Sequence, residues 1–270
     1  MTNIKWFYPT SLAEVSALLE RKSILPHGGG TNLTRRNLAH VEGVINLADL
    51  GLNYVKKNKA TIEIGSMSSY ADVVAGLRSI SPDNILIKAL QNAANTPCRN
   101  RITIGGSIAF VPKWSDLIGA LLVLEAKVVL IGKKTGEFLL SEYLERREPQ
   151  EQTLICAVKI KDLPYRSYHY RDVKTANDMP LFTITVLLEL DAASIKEAKI
   201  YIVGTKERIT KLTEVEKYLK NKPKANIDKN FIQERVNVSF MGKRITDPEY
   251  LSFKAKIETA RAIFRAMEND

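Results

Sequence analysis

Two short glycine clusters place the strongest constraint on what this chain can become. The first is Pro26-His27-Gly28-Gly29-Gly30-Thr31-Asn32-Leu33; the second is Arg99-Asn100-Arg101-Ile102-Thr103-Ile104-Gly105-Gly106-Ser107-Ile108. Adjacent glycines free the backbone to take positive φ and remove Cβ atoms, so a ligand can approach main-chain N–H groups directly. Consecutive N–H groups in such a turn form a concave nest suited to an anion, phosphate above all. A tight turn accounts for one cluster alone. Two clusters, each flanked by strand-like runs, are better explained by a ligand with two phosphates.

Neither cluster belongs to a common nucleotide fingerprint. The pattern G-x-G-x-x-G/A, counted from Gly28, needs glycine or alanine at position 33, which is Leu33. A Walker loop ending at Gly132-Lys133 needs a glycine at position 127, where Lys127 stands. What remains is a pyrophosphate held by two separate glycine turns of an α+β domain.

Ile4 to Tyr8 reads as a short strand, and Ser11 to Glu14 as a capping box opening a helix through Val15, Leu18 and Leu19. With Ser23 to Pro26 and Val44 to Leu47 as further strands, this makes a β-α-β-β unit of about fifty residues. Thr61 to Gly65 opens a second unit, in which Ser69 and Asp72 cap a helix through Val73, Val74 and Leu77. Ser81-Pro82-Asp83 is expected to start another helix, with proline in the first turn, ending before Asn95-Thr96-Pro97. Ser115-Asp116 heads an apolar segment to Leu124; strands follow at Lys127 to Ile131 and Thr153 to Ile160, with a hairpin turn at Lys133 to Gly136.

After Leu163-Pro164 the texture changes. Tyr165 to Arg171 is aromatic, basic and strand-compatible; its tyrosines suit either base stacking or cross-strand packing. Pro180 to Leu190 is a strand with Phe182, Ile184, Val186 and Leu188 on one face, and Ala198 to Val203 is another. Two short helices are expected around Pro223, then a final helix from about Pro248. Tyr250, Phe253, Ile257, Ala260, Phe264 and Met267 recur in it at three- and four-residue intervals, predicting one buried face. The division is therefore residues 1–164, in parts of about 1–55 and 56–164, followed by residues 165–270.

At 270 residues, with 45% hydrophobic and 26% charged side chains, the chain has ample material for a core. The N-terminus lacks a signal-peptide segment and no apolar run approaches bilayer-spanning length, so a soluble, cytoplasmic protein is expected. Cys98 and Cys156, the only cysteines, cannot supply the four thiolates of an iron–sulfur cluster. The three histidines have no metal-ligand spacing, so no metal site is expected. A net charge of +10 admits a nucleic-acid partner, but the lysines are dispersed beside Glu and Asp rather than gathered on one stripe. Such Lys- and Glu-rich surfaces are also common in heat-stable proteins.

The two clusters carry a family resemblance. His27 to Leu33 resembles the first FAD loop (A-G-G-T-x-L) of the flavin subunit of molybdenum hydroxylases, the xanthine dehydrogenase, carbon monoxide dehydrogenase and aldehyde oxidoreductase family. Arg99 to Ile108 resembles the second (R-N-x-A-T-I-G-G-N-I), Ser115-Asp116-Leu117 the S-D-L segment that follows, and Ile62 to Gly65 the strand opening the second subdomain. Asp247-Pro248-Glu249-Tyr250 is similar to the entry into the family's C-terminal helix.

The resemblance implies a two-subdomain FAD-binding domain, not of Rossmann type, followed by a C-terminal domain of antiparallel strands and helices. It implies an oxidoreductase subunit of a hetero-oligomer. FAD on this chain would take electrons from 2Fe-2S clusters on a small subunit while an aldehyde-like substrate is oxidised at molybdopterin on a large subunit. The electrons would then pass to an external acceptor. Position by position it assigns His27, Gly28, Gly29, Gly30, Thr31, Asn32 and Leu33 to the cofactor, with Thr103, Ile104, Gly105, Gly106 and Ser107. The pyrophosphate would be held through backbone N–H groups and threonine hydroxyls.

Asp116 would accept from a ribityl or ribose hydroxyl; a plain helix-start carboxylate is the simpler alternative. Asp178 and Met179 resemble the segment against the flavin ring, although Asn177 replaces one acid there and Tyr170 or Arg171 stands where a lysine is usual. His27 replaces an alanine; covalent flavin attachment and a turn residue are both open, the turn being simpler. No catalytic acid, base or nucleophile is expected on this chain, because the cofactor supplies the redox chemistry. The competing readings are a self-contained FAD oxidase or reductase and a basic nucleic-acid-binding module.

Overall fold

The computed structural model describes residues 4–33, 38–110, 113–145, 152–242 and 247–268. Its architecture is α+β. The chain divides into two units: residues 1–91, 95–111 and 125–162 form the first, and residues 92–94, 112–124 and 163–270 the second. Compared with a split at 164/165, the stretch 112–124 groups with the C-terminal part of the chain.

The first unit begins with β1 (Lys5–Phe7), α1 (Leu12–Leu19), β2 (Ile24–His27) and β3 (Gly43–Asn46). The strands form a parallel sheet in the order β1-β3-β2. Ser11 caps α1 by accepting the Glu14 N–H, but the Glu14 carboxylate reaches one residue further back than a capping box requires, to the N–H and hydroxyl of Thr10. Val15, Leu19, Ile24, Ile45 and Leu47 pack together with Leu154 and Cys156 in one core.

Next come β4 (Val55–Asn58), β5 (Thr61–Gly65), α2 (Tyr70–Ile80), α3 (Ile85–Leu90), α4 (Thr96–Arg99) and α5 (Ile104–Phe110). Ser69 and Asp72 cap α2 as expected, and do so as a reciprocal capping box. Helix α3 starts later than Pro82 suggests, because the Asn84 side chain accepts the Leu86 N–H and acts as cap. Asn95, expected to follow a helix end, caps α4 through the Cys98 N–H.

Helix α6 (Asp116–Val123) belongs to the second unit. The chain then returns to the first with β6 (Lys127–Gly132), β7 (Gly136–Leu139), α7 (Leu140–Glu145) and β8 (Thr153–Lys161). These strands complete an antiparallel sheet, β4-β5-β8-β6-β7. A cross-strand ladder of Lys56, Glu63, Lys159 and Glu137 runs over it.

The second unit contains β9 (Arg166–Asp172), β10 (Phe182–Leu190), β11 (Ser194–Thr205), β12 (Arg208–Lys211), α8 (Thr213–Leu219), β13 (Lys222–Pro223), α9 (Lys229–Arg235) and α10 (Pro248–Glu268). Its sheet is antiparallel in the order β12-β11-β10-β9, with β13 on β11. Phe182, Ile184, Val186 and Leu188 point into the main core, as their alternation predicts. The other face of β10 is buried as well: Thr183 donates to the Ser115 carbonyl and Thr185 lies where a Cβ on Gly119 would be. Helix α6 covers that face.

Helix α10 realises the expected face only in part, losing it at its N-terminal end. Leu251, Ala255, Thr259, Ile263 and Ala266 are buried, while Tyr250 and Phe253 are exposed. The small residues let the helix lie close to the sheet; of the expected stripe Ala260 is buried and Phe264 and Met267 pack against the core, while Tyr250 and Phe253 fall outside the contact. No described helix is long and apolar enough to cross a membrane.

Candidate functional site

Strand β2 delivers His27 and the first glycine cluster to one end of the parallel sheet, and the second cluster enters α5 beside it. Together they line a cavity of about 360 Å³ within the first unit. Its wall includes residues 27–33, Thr103, Gly105, Gly106 and Ser107, with Ser66, Met67 and Tyr143. All the sequence-predicted residues of the two clusters thus meet in one place, except that Ile104 turns inward and is fully buried.

The clusters touch directly. A Cβ on Gly29 would lie 1.6 Å from the Arg101 carbonyl oxygen, and one on Gly28 would lie 3.0 Å from Thr103 Oγ1. The Arg101 guanidinium reaches back over the first cluster and donates to the Gly29 carbonyl from Nε at 3.3 Å and Nη2 at 3.2 Å. Sequence reasoning missed Arg101 as a site residue. Its signal was present in the basic residues that precede Ile102, but nothing local told which carbonyl the side chain would find.

The two clusters differ in backbone state. In the first, Gly30 has φ +73°, a conformation that favours glycine. The N–H groups of Gly29, Gly30 and Thr31 have no hydrogen-bond acceptor among the described residues. In the second, neither Gly105 nor Gly106 has positive φ; both lie in the first turn of α5. Gly105 is there because a Cβ would sit 2.7 Å from Ser66 Cβ.

The N–H groups of the second cluster are already used: Ile104 donates to Ser68 O, Gly105 to Ser66 O, Gly106 to Thr103 Oγ1 and Ser107 to Thr103 O. The expectation that both clusters offer a nest of free N–H groups is therefore corrected. Only the first does so; the second contributes the hydroxyls of Thr103 and Ser107, the latter accepting from Tyr70 Oη at 3.0 Å.

Burial lowers the pKa of His27, and the nearby Arg101 charge adds to the effect, so the imidazole is neutral at pH 7. Its ring meets Trp6 edge-on, with centroids 5.0 Å apart. Its Nε2 lies 3.0 Å, and Arg101 Nη2 3.6 Å, from the point where a Cβ on Gly30 would stand. Two nitrogen-bearing side chains therefore flank the one glycine of the clusters with positive φ. Ser66 Oγ is buried in the cavity wall with no hydrogen-bond partner among the described residues. Exposed donors on Gly-rich backbone, an adjacent guanidinium and an unpaired buried hydroxyl fit a phosphate-bearing ligand. Elsewhere in this unit, burial pushes the Cys156 thiol up to about 11, which keeps it inert. Among the described residues, no three His, Cys, Asp or Glu side chains are placed to hold a metal ion.

Asp116, Asp178 and Met179 lie in the second unit. Ser115 caps α6 by accepting the Leu117 and Ile118 N–H groups, which sets Asp116 as the first helical residue. The nearly buried Asp116 carboxylate takes both Arg171 Nε at 2.5 Å and Nη2 at 3.5 Å. The same guanidinium donates to the carbonyls of Asp178 at 3.1 Å and Ala176 at 3.5 Å. The Asp178 side chain accepts the Thr175 N–H, closing a turn, and Met179 is half exposed. Arg171 thus ties the turn at 175–179 to the start of α6. His169, on the same strand, donates to or accepts from Thr185 Oγ1 through Nδ1, while its buried Nε2 lies 3.8 Å from Asp116 Oδ1.

Comparison with known proteins gives the chain a family. The profile of one family, described as the FAD binding domain in molybdopterin dehydrogenase, matches residues 2–161. The glyceraldehyde dehydrogenase medium chain of Sulfolobus acidocaldarius is 25% identical over 172 residues, which cover 62% of this chain and 61% of that one. The nicotinate dehydrogenase FAD-subunit of Eubacterium barkeri is 28% identical over 177 residues, covering 61% and 60%. The chain thus matches about three fifths of the length of these two relatives. A carbon monoxide dehydrogenase structure from Hydrogenophaga pseudoflava shares the fold, with a TM-score of 0.89 at 18% identity over 98% of this chain and 97% of that one. The matched region holds both glycine clusters and the cavity between them, and on that ground this chain belongs to the family of FAD-binding domains of molybdopterin dehydrogenases.

Proposed function

We propose that this chain is the FAD-carrying electron-relay subunit of a hetero-oligomeric molybdenum hydroxylase. It takes electrons from 2Fe-2S clusters on one partner while an aldehyde-like substrate is oxidised at molybdopterin on another, and passes them to an external acceptor. The observation that carries the reading is the meeting of both glycine clusters in one cavity wall inside the family-matched region.

Bound FAD supplies the two-electron chemistry, and the protein's part is to hold and position it. In this reading the N–H groups of Gly29, Gly30 and Thr31 bind the pyrophosphate, and the Thr103 and Ser107 hydroxyls complete its shell. Arg101 keeps the first cluster in shape and adds positive charge beside it. His27, neutral and packed on Trp6, is a wall residue. In the second unit, Arg171 anchors the turn that presents Asp178 and Met179, and Asp116 serves as the counter-charge of that anchor. With two cysteines, the chain leaves cluster ligation to a partner.

Native purification from the source, with flavin, iron and molybdenum analysis, tests the proposal. FAD, iron and molybdenum should copurify with this chain at fixed ratios. FAD without iron- or molybdenum-bearing chains would instead support a self-contained flavin enzyme. A colourless chain that binds RNA with steep salt dependence would overturn the FAD reading altogether.

A further inference from the structure

The apolar stripe of α10 is only partly covered. Ala260, Phe264 and Met267 meet the core of the second unit, but Tyr250 and Phe253, toward the N-terminal end of the same stripe, are 55% and 62% exposed. Beside them lies an open groove of about 350 Å³, walled by Phe240, Pro248 and Phe253 and bordered by Glu249 and Lys256. Met241, next to Phe240 in the chain, is 52% exposed. Single apolar side chains on a surface need no explanation, but two aromatics one turn apart at an apolar groove mark a contact face. At this exposure Tyr250 and Phe253 leave about 100 Å² each open to water, and Met241 brings the patch to about 300 Å².

The charges at the groove show what kind of surface fits it. Lys254 pairs with Asp172 and Arg261 with Glu258, whereas Glu249 and Lys256 have no ion-pair partner among the described residues. Two helical turns, about 10 Å, separate them, too far for neighbours on one helix. Phe253 stands between them, four residues after the acid and three before the base. An acid and a base on either side of an apolar centre make a self-complementary pattern. Laid antiparallel on its own copy across a two-fold axis at Phe253, the helix brings each Glu249 against the other copy's Lys256 and the two phenyl rings together. We propose that this end of α10 is the face through which two copies of the chain associate, with Phe253 at its centre and two Glu249–Lys256 pairs at its rim. Two such patches bury about 600 Å², and with their rims about 1,000 Å², the lower end of specific interfaces, so the dimer is reversible. The groove belongs to the second unit and the glycine-cluster cavity to the first, so the two assignments stand or fall separately.

Sedimentation velocity on the purified full chain, over a range of concentrations, tests this. Wild type should pass from monomer to dimer between about 1 and 100 μM. Phe253→Ser should weaken the dimer by about a hundredfold, because two buried rings are lost, and leave the melting temperature of the monomer unchanged, because the ring is exposed there. Glu249→Lys and Lys256→Glu should each weaken it by about tenfold, since two attractive pairs become two repulsive ones. Mixing these two variants checks the geometry. One then carries two cations at the rim and the other two carboxylates, so a mixed dimer should form at least as tightly as the wild-type one. A chain that stays monomeric to about 100 μM overturns the proposal, as does a dimer indifferent to Phe253→Ser. Single charge variants that weaken the dimer without rescuing each other overturn the antiparallel pairing on which the two-copy assignment stands. A monomeric wild type whose Phe253→Ser variant loses a copurifying chain also overturns it, and gives the groove to that chain.

Discussion

A Cβ on Gly29 would lie 1.6 Å from the carbonyl oxygen of Arg101, with no flexible side-chain end there to move aside. Gly29→Ala should therefore displace one cluster from the other, abolishing flavin retention and lowering the melting temperature. Gly105→Ala, whose Cβ would meet Ser66, should act in the same direction. Gly51 provides the contrast: it has φ +65° but open space around it, so Gly51→Ala should cost only about 1–2 kcal/mol and leave flavin absorbance per mole of protein intact. Equal flavin retention in all three variants would show that the cavity is misassigned. The sequence marked these glycines, but one expected reason, positive φ, holds only at Gly30 within the two clusters. Close approach is a property of the neighbour, and the neighbour of Gly29 is 72 positions away.

His27 also acts at this scale. Its folded-state pKa lies below the ordinary histidine value of 6.5, through burial first and the Arg101 charge second. Between the folded and unfolded values the unfolded chain binds more protons, so stability rises with pH there. The contribution is complete above about 6.5 and is lost as pH falls through the folded value. His27→Gln should flatten this part of a plot of urea midpoint against pH, measured at closely spaced points between pH 5 and 7.5. A slope unchanged by the substitution would remove His27 as its source.

Among elements, Arg171 on β9 does the most joining. Its guanidinium and the Asp116 carboxylate are both about nine-tenths buried, so removing the cation strands a carboxylate in a poorly solvated place. Arg171→Met should destabilise by about 3–5 kcal/mol, whereas the double variant with Asp116→Asn should recover part of that loss. Chemical denaturation of the single and double variants measures both. Additive losses would mean that the two side chains act separately.

At this scale the chain's local rules were readable. The Ser69–Asp72 box, the Ser115 cap and the β10 alternation all depend on residues within a few positions of one another. Periodicity held only in part for α10: Ala260, Phe264 and Met267 meet the core, but Tyr250 and Phe253 stood out in the sequence over the alanines that make the closest contact. A helix packed closely on a sheet selects small residues for the contact. Hydrophobicity alone does not reveal that choice.

Over the whole molecule, the α+β architecture and the family came from the glycine clusters and their spacing. The grouping of residues 112–124 with the C-terminal unit did not. Helix α6 is apolar on every side, which announces burial but not a partner. The second buried face of β10, with Thr183 and Thr185 fully covered, becomes intelligible only once α6 lies on it.

By itself, the sequence singled out the two glycine clusters as a pair, placed most strands and helices, and limited the chain to two cysteines. These follow from local chemistry: backbone freedom, side-chain alternation, capping and residue counts. Only the tertiary structure decided that the second cluster's N–H groups are already satisfied, that Arg101 holds the first, that Arg171 claims Asp116, and that the Ser66 hydroxyl is left without a partner among the described residues in the cavity wall. Each of those depends on which group arrives from a distant part of the chain to fill or leave open a hydrogen bond. Local pattern records which way a residue faces, and the partner it meets is set by the fold.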